Sequence, residues 1–178
     1  MTVDRESGVL HGANLGDSGF FLVRDNKILF QSKEQQYYFN APYQLSILPP
    51  GYGSSLSTRP EDADKVELAL EHGDVLIVAT DGFLDNVFPQ DIPILLQQCN
   101  TDNVEEIAST LVHFAQKLSE DSAYASPFAV RSRQHYRVDY FTGGKPDDIT
   151  VVVAVFLKAD SMPEEQSTNN NEHIKAKL

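Results

Sequence analysis

Cysteine is nearly absent from this sequence, in which Cys99 is the single example among 178 residues. An internal disulfide and a metal site built from several thiolates are therefore both excluded. Long apolar runs are missing as well, and none approaches the roughly 18–20 residues that a transmembrane helix requires. Residues 1–7 are mostly polar and acidic, unlike a signal or transit peptide, so we expect a soluble chain without a targeting segment or a membrane partner.

Positive charge is also scarce. The sequence has 14 Lys and Arg residues against 26 Asp and Glu residues, which gives a formal net charge of −12 and a pI of about 4.7. Nucleic acids and anionic membranes normally bind clustered Lys and Arg, so neither is an expected partner. A phosphorylated substrate is not excluded, because bound divalent cations would reverse the local sign of the charge.

The length of 178 residues predicts one domain with a tail. Apolar residues make up 41% of the sequence, an ordinary share for a globular chain and enough for a sizeable core. From residue 159 the composition turns to Glu, Gln, Ser, Asn and Lys, with almost nothing to bury. We therefore predict a folded domain over residues 1–158 and a disordered polar tail over residues 159–178.

Short apolar runs bounded by turn residues predict several β-strands in the first half of the chain. Residues 20–24 and 27–30 flank an Asp-Asn link of two residues, which is typical of a tight hairpin. Residues 66–70 lead through a Gly-Asp turn into the apolar run 75–79. We expect these two strands to form another hairpin.

The second half of the chain has a helical period. Apolar residues recur at i, i+3, i+4 and i+7 over residues 103–120, which predicts a helix with Asp102 and Glu105 as its capping pair. The other segments are predicted as a short helix, an irregular loop and a buried last strand, at residues 90–99, 126–142 and 149–157. Strands followed by helices and a final strand predict an α+β layered fold.

Carboxylates stand beside glycine at the ends of three predicted strands. Asp81 precedes Gly82 at the end of a buried strand, Asp17 lies in a Gly-Asp-Ser-Gly turn, and Asp147 and Asp148 follow a Gly-Gly-Lys-Pro segment. Carboxylate oxygens suit a hard divalent cation such as Mg²⁺, Mn²⁺ or Ca²⁺ better than zinc. The pattern therefore indicates a divalent cation site at the edge of a sheet.

Each of these carboxylates also has an ordinary structural explanation. Asp17 could be a turn residue, since aspartate is common in turns. Asp81 could cap the helix that follows it. Asp147 and Asp148 could belong to an ordinary polar loop. The residues taken one at a time leave these alternatives open.

Three motifs resemble, in the same order, those of the metal-dependent Ser/Thr protein phosphatases of type 2C: ANLGDSG at 13–19, ATDGFLDN at 79–86 and GKPDDITV at 144–151. Residues 34–45 and 126–129 look like the organellar branch of that family, which includes mitochondrial and plastid members. The resemblance extends over roughly residues 8–157, and it is specific because separate motifs agree in order.

The resemblance implies a sandwich of two antiparallel sheets flanked by helices in the layer order α-β-β-α, with a binuclear Mg²⁺ or Mn²⁺ centre at one end. Asp81 and Asp147 would ligate the two ions, and Asp17, together with Asp81, would help hold a weaker third ion. Gly82 and Asp148 lie beside these ligands, and a water-mediated role is implied for Asp148. The implied chemistry is two-metal hydrolysis, in which a water activated by the ions attacks phosphorus.

The expected activity is hydrolysis of phosphoserine and phosphothreonine, and the expected partner is a phosphorylated protein. The resemblance also implies a mitochondrial location, and we expect a monomer. The chain departs from the family pattern ahead of Asp17: the family's first Asp-Gly motif, whose aspartate bridges both ions, is missing. The family's phosphate-binding Arg is missing too, because Arg5 lies in no matching context.

We therefore expect an N-terminally incomplete sandwich that corresponds to the C-terminal portion of a type-2C domain and holds fewer ions. Two hypotheses from different classes follow. The chain is either an active metal-dependent phosphatase or a catalytically silent remnant that acts as a binding module or a weak divalent-ion site. A gene-model fragment is a third possibility.

Overall fold

The computed structural model describes residues 1–46 and 58–158. Its strands are β1 Thr2–Asp4, β2 Val9–Asn14, β3 Gly19–Arg24, β4 Lys27–Gln31, β5 Gln36–Tyr38, β6 Ala41–Pro42, β7 Asp64–Ala69, β8 Val75–Ala79 and β9 Val151–Val155. Its α-helices are α1 Asp81–Leu84, α2 Asp91–Leu96, α3 Val104–Ser119 and α4 Pro127–Tyr136. The predicted tail at 159–178 lies outside the described residues.

Two antiparallel sheets dominate the structure, with strand orders β4-β3-β8-β9 and β1-β2-β7, while β5 and β6 form a separate ribbon. The predicted hairpin around residues 25–26 is confirmed, since β3 pairs with β4. Asp25 and Asn26 have φ angles of 49° and 58°. A turn with two such residues twists in the same sense as the flanking strands, which explains why a short Asp-Asn link closes this hairpin.

The prediction that residues 66–70 and 75–79 form a second hairpin is wrong. β7 pairs with β2 in the three-stranded sheet, whereas β8 lies between β3 and β9 in the four-stranded sheet. Gly73, with a φ of 87°, lies in the turn that carries the chain from one sheet to the other. Leu68 and Leu76 therefore pack against the same cluster from opposite sheets, which two paired neighbours in one sheet would not do.

The core has two parts, one on each face of the four-stranded sheet. Between the sheets lies a cluster of buried leucines, Leu10, Leu22 and Leu70. The opposite face packs against helices α1, α2 and α3 through a larger apolar cluster that includes Phe21, Ile77, Phe83, Ile92, Ile107 and Leu111. The prediction of antiparallel sheets flanked by helices is confirmed. The described ranges 1–46 and 58–158 contain the helix layer on this sheet and no helix layer on the outer face of the three-stranded sheet.

Helix α3 forms where the apolar period predicts it, but its cap differs from the prediction. The side chain of Asn103 accepts a hydrogen bond from the Glu106 N–H at 3.1 Å, so Asn103 takes the place assigned to Asp102 and Glu105. Helix α2 is shorter than the predicted segment 90–99. No helix among the described residues combines the length and the apolar content needed to cross a membrane.

The prediction of an irregular loop over residues 126–142 is wrong, because α4 occupies its first half. Ser126 accepts a hydrogen bond from the Ala129 N–H at 3.1 Å, and Pro127 takes the first helical position, where its missing N–H costs nothing. The buried Ser126 hydroxyl also donates to the Gly143 carbonyl at 2.7 Å. This bond ties the start of α4 to the segment that leads to Asp147.

Strand β9 is shorter than the predicted segment 149–157, and it is not fully buried. It is an edge strand of the four-stranded sheet. Val151, Val153 and Val155 pack against the helix-side core, whereas Val152 on the other face is 59% exposed. An unbroken apolar run therefore gives an edge strand here, although such runs are typical of strands buried on both faces.

Candidate active site

Asp81 is positioned by the junction of strand β8 and helix α1. The helix begins at Asp81, and Thr80 takes the cap position without making a side-chain cap. The Thr80 hydroxyl instead accepts from the Thr150 N–H at 3.0 Å and donates to the Asp148 carbonyl at 3.2 Å. The alternative of Asp81 as the helix cap is therefore wrong, and the strand end is tied directly to the segment that carries Asp147.

Gly82 allows this segment to lie against helix α1. A Cβ atom at Gly82 would come within 2.4 Å of the Asp148 carbonyl oxygen, so only glycine fits beneath the crossing chain. Asn86, fully buried, completes the attachment. Its amide donates to the carbonyls of Gly82 and Lys145, and its carbonyl accepts from the Lys145 N–H, all at 2.8 Å. Helix α1 and the segment around Asp147 are therefore held as one unit.

The ammonium of Lys145 lies among three carboxylates. Its Nζ is 3.3 Å from an oxygen of Asp81, 2.5 Å from one of Asp85 and 3.2 Å from one of Asp147. The same nitrogen is 4.8 Å from the ring centroid of Phe128. Burial alone would lower the pKa of Lys145, but the hydrogen bond and negative charge of Asp85 outweigh it and raise the pKa above its usual value. Lys145 is therefore charged in this site.

Asp85 is the functional candidate that reasoning from the sequence missed. Its side chain is only 4% exposed, and it pairs with both Lys145 and Arg131. Arg131, on helix α4, also approaches Glu34, with 3.7 Å between nitrogen and oxygen. The spacing of Asp81 and Asp85, four residues apart at the start of a helix, was the signal that could have found it.

Asp17 lies in the same charged neighbourhood. Burial raises the pKa of its carboxyl above the usual value, and the negative charges of Asp81 and Asp85 add to the effect. Asp17, Glu34 and Arg131 line one cavity. The structure thus brings Asp17, Asp81 and Asp85 to one end of the four-stranded sheet.

Asp147 makes its contacts in the site through its side chain, and Asp148 makes its contacts through its backbone. Asp147 points one oxygen at Lys145 and accepts a hydrogen bond from the Asp148 N–H at 2.9 Å through the other. The Asp148 side chain is exposed, and its carbonyl is the group that bonds Thr80.

Curated relatives were compared with the chain by sequence. The protein phosphatase PTC7 homolog fig of Drosophila grimshawi is 43% identical over 159 residues, which are 86% of this chain and 52% of that protein. The human protein phosphatase PTC7 homolog is 41% identical over 164 residues, 87% of this chain and 52% of that protein. No family model matches the chain. The chain spans about half the length of the curated relatives it matches.

Solved structures agree with the sequence relatives. The photosystem II phosphatase PBCP has a TM-score of 0.77 and 31% identity, and the match covers 87% of this chain and 61% of that one. The chain belongs to the type-2C family of protein phosphatases. The Mycobacterium tuberculosis serine/threonine phosphatase PstP/Ppp, with a TM-score of 0.50 and 21% identity over 85% of this chain and 57% of that chain, supports the fold.

The donor set of this type-2C chain fits the divalent ions of the family in chemistry. All its candidate ligands are carboxylate oxygens, which hard cations such as Mg²⁺ prefer. The Lys145 ammonium serves as a stand-in cation, since oxygens of both Asp81 and Asp147 already converge on one positive charge. Among residues 1–46 and 58–158, however, no three His, Cys, Asp or Glu side chains are grouped as metal ligands. The Lys145 ammonium contacts both Asp81 and Asp147.

Replacing Asp17 with asparagine is expected to stabilise the metal-free type-2C chain by about 0.5 kcal/mol at neutral pH. The folded-state pKa of Asp17 is raised, so its contribution to stability is present below its unfolded pKa and is lost as pH rises through the folded value. The variant should therefore match the wild type in acid and exceed it at neutral pH. Urea unfolding across pH measures the difference, with Asp64→Asn, at an exposed position, as control. An equal gain in the control would contradict the prediction.

Proposed function

We propose that this chain hydrolyses phosphoserine and phosphothreonine in proteins, with Mg²⁺ or Mn²⁺ as the cofactor. The observation that carries the proposal is that carboxylate oxygens of Asp81 and Asp147 converge on one positive charge, the Lys145 ammonium, in a chain of the type-2C family. The Lys145 nitrogen is 3.3 Å from the Asp81 oxygen and 3.2 Å from the Asp147 oxygen. Both residues stand in motifs that resemble the family's ligand motifs. The full activity is a proposal because the chain spans about half of its relatives.

In this proposal Asp81 and Asp147 are the principal metal ligands, and Asp17 holds a weaker ion. Bound divalent ions supply an activated water and stabilise charge at the phosphoryl group. The chain positions these ligands. Gly82 lets the segment around Asp147 lie against helix α1, and the backbone carbonyl of Asp148 accepts a hydrogen bond from the Thr80 hydroxyl. Preorganised ligands of this kind spare the cost of ordering them when the ion binds.

Charge explains why the site needs cations before it can bind a phosphate. Carboxylates outnumber basic groups in the cluster, where the acidic side chains are Asp17, Glu34, Asp81, Asp85 and Asp147 and the basic ones are Arg131 and Lys145. A phosphate ester is repelled by such a site unless divalent ions reverse the local charge. The proposed substrate is therefore a phosphorylated protein that binds after the metal, and the proposed location is mitochondrial, on the resemblance to the organellar branch.

The second candidate is a silent binding module that holds one weak divalent ion or none. The observation that favours it is the absence of a three-ligand group among the described residues, together with the position of Lys145 between Asp81 and Asp147. In this case the carboxylates lie at the same places in the fold, and the Lys145 ammonium pairs with Asp81 and Asp147 instead of a metal ion. The two candidates differ in turnover and agree in fold.

Turnover of a phosphothreonine peptide by the purified chain decides between them. With millimolar Mn²⁺ we expect release of phosphate that EDTA abolishes and that Asp81→Ala lowers about a hundredfold or more. Asp102→Ala, at an exposed position before helix α3, is the matched control and should keep the wild-type rate. A folded chain without turnover would support the silent module, and turnover that survives Asp81→Ala would contradict the assignment of this ligand.

A further inference from the structure

We propose that Lys145 is an internal competitor of the divalent ion: its ammonium occupies the metal-binding oxygens of Asp81 and Asp147, and a metal ion binds only by displacing it. The inference rests on the proposed function in one respect, the assignment of these two carboxylates as ligands. It adds a residue that sets the metal affinity of the site.

The geometry places the ammonium where a cation would bind. Lys145 Nζ contacts one oxygen each of Asp81, Asp85 and Asp147, all within 3.3 Å. The contacts with Asp81 and Asp85 are hydrogen bonds, and the contact with Asp147 is an ion pair. The Lys145 side chain is only 18% exposed, which reduces the screening of its charge by bulk solvent.

The backbone of Lys145 is fixed while its side chain can move. Its N–H and its carbonyl are both bonded to Asn86 at 2.8 Å, so the residue cannot leave the site as a whole. The long, flexible stem of lysine allows the ammonium to swing without disturbing the backbone. Displacement therefore needs only a change of side-chain conformation.

Asp85 gives the displaced ammonium a place to remain. It is the nearest of the three partners, at 2.5 Å, and its side chain is 4% exposed. Asp85 is not one of the two carboxylates assigned as metal ligands, and its side chain also pairs with Arg131. The ammonium can therefore release Asp81 and Asp147 and keep Asp85, with no carboxylate buried alone.

A divalent ion and the ammonium cannot share the same oxygens. Like charges a few ångströms apart repel one another in a partly buried site such as this one. When the binding-competent arrangement is only partly populated, the apparent affinity falls by the populated fraction. Lys145 therefore weakens metal binding, and neutralising it should strengthen it.

Calorimetric titration with Mn²⁺ alone tests this, independently of turnover. Lys145→Gln, whose amide can still donate to Asp85, and Lys145→Met should each bind Mn²⁺ about tenfold more tightly than the wild type. Lys27→Gln removes the same charge at an exposed position at the start of β4, opposite Arg24 at the end of β3, and should leave the affinity unchanged. Equal or weaker binding by both Lys145 variants would overturn the proposal, because Lys145 would then organise the ligands. Absence of Mn²⁺ binding in all chains would overturn it as well.

A second measurement uses the wild-type chain, in case the Lys145 variants fold poorly. NMR of lysine labelled with carbon-13 at Cε during a titration with Mg²⁺ should show one lysine signal that moves in proportion to saturation, as the ammonium leaves Asp81 and Asp147. Mg²⁺ binding without movement of any lysine signal would overturn the proposal. Failure of phosphatase turnover would affect neither test, so this inference and the proposed function fail separately.

Discussion

Alanine at position 82 is expected to lower the free energy of unfolding by about 3 kcal/mol, because the added methyl has no room. The Cβ atom would stand 2.4 Å from the Asp148 carbonyl oxygen and 3.0 Å from its carbonyl carbon. Both are backbone atoms that no rotamer change can remove, so the segment must shift away from helix α1. That shift breaks the hydrogen bond between Thr80 and the Asp148 carbonyl. Urea unfolding measures the loss.

The same shift should carry Asp147 away from Asp81, so the stabilisation of the chain by saturating Mn²⁺ should shrink in Gly82→Ala. Gly73→Ala is the matched control, because no heavy atom lies within 4 Å of its Cβ position, although its φ is 87°. Its cost is therefore conformational, about 1 kcal/mol, and its response to Mn²⁺ should equal that of the wild type. A loss in Gly82→Ala no larger than in Gly73→Ala would show that the contact with Asp148 is relieved at little cost.

Local patterns predicted most of the elements that depend on local rules. The hairpin at Asp25 and Asn26 follows from two residues that tolerate positive φ, and helix α3 follows from its apolar period. Asp17 and Asp81 could be selected because each stands beside glycine, and Asp147 because it follows a Gly-Gly-Lys-Pro segment, all three within motifs that resemble those of the family. Each of these patterns spans only a few neighbouring residues, which is the range over which local sequence patterns determine structure.

The wrong predictions concern elements whose structure depends on contacts with residues far away in the sequence. β7 and β8 are adjacent in sequence, but each pairs with a strand far along the chain, β7 with β2 and β8 with β9. Tertiary pairing therefore overrode the short turn. Helix α4 was missed because its residues lack a clear apolar face, although the Ser126-Pro127 start was a usable signal.

The charge cluster at the site was out of reach for the same reason. Lys145 and Asp85 are 60 positions apart, and Arg131 is 46 positions from Asp85. The sequence motif places Lys145 two positions before Asp147, but it does not predict which side chains the ammonium contacts. Only the fold of helix α1 against the segment before β9 brings these groups together, so their coupling is a product of packing.

Asp85→Ala is expected to lower the free energy of unfolding by about 3 kcal/mol, because it removes the nearest partner of two basic side chains at once. Lys145 and Arg131 are 18% and 35% exposed, so neither can hydrate fully when Asp85 is gone. Asp139→Ala is the matched control. Asp139 pairs with Arg133 at 2.9 Å, but the two side chains are 56% and 68% exposed, so this loss should stay below about 1 kcal/mol.

A second substitution separates the loss of attraction from the cost of an unpaired charge. Adding Arg131→Met to Asp85→Ala removes the basic group that has lost its partner, so the double variant should recover about 1 kcal/mol relative to Asp85→Ala alone. Urea is the denaturant of choice, since guanidinium salts would screen the charges under test. If the double variant is less stable by the full sum of the two single losses, then Arg131 contributes through packing, and the buried charges of Asp85 and Arg131 are not coupled. Recovery would instead show that Asp85 stabilises the fold chiefly by neutralising the charge of Arg131 beside the site.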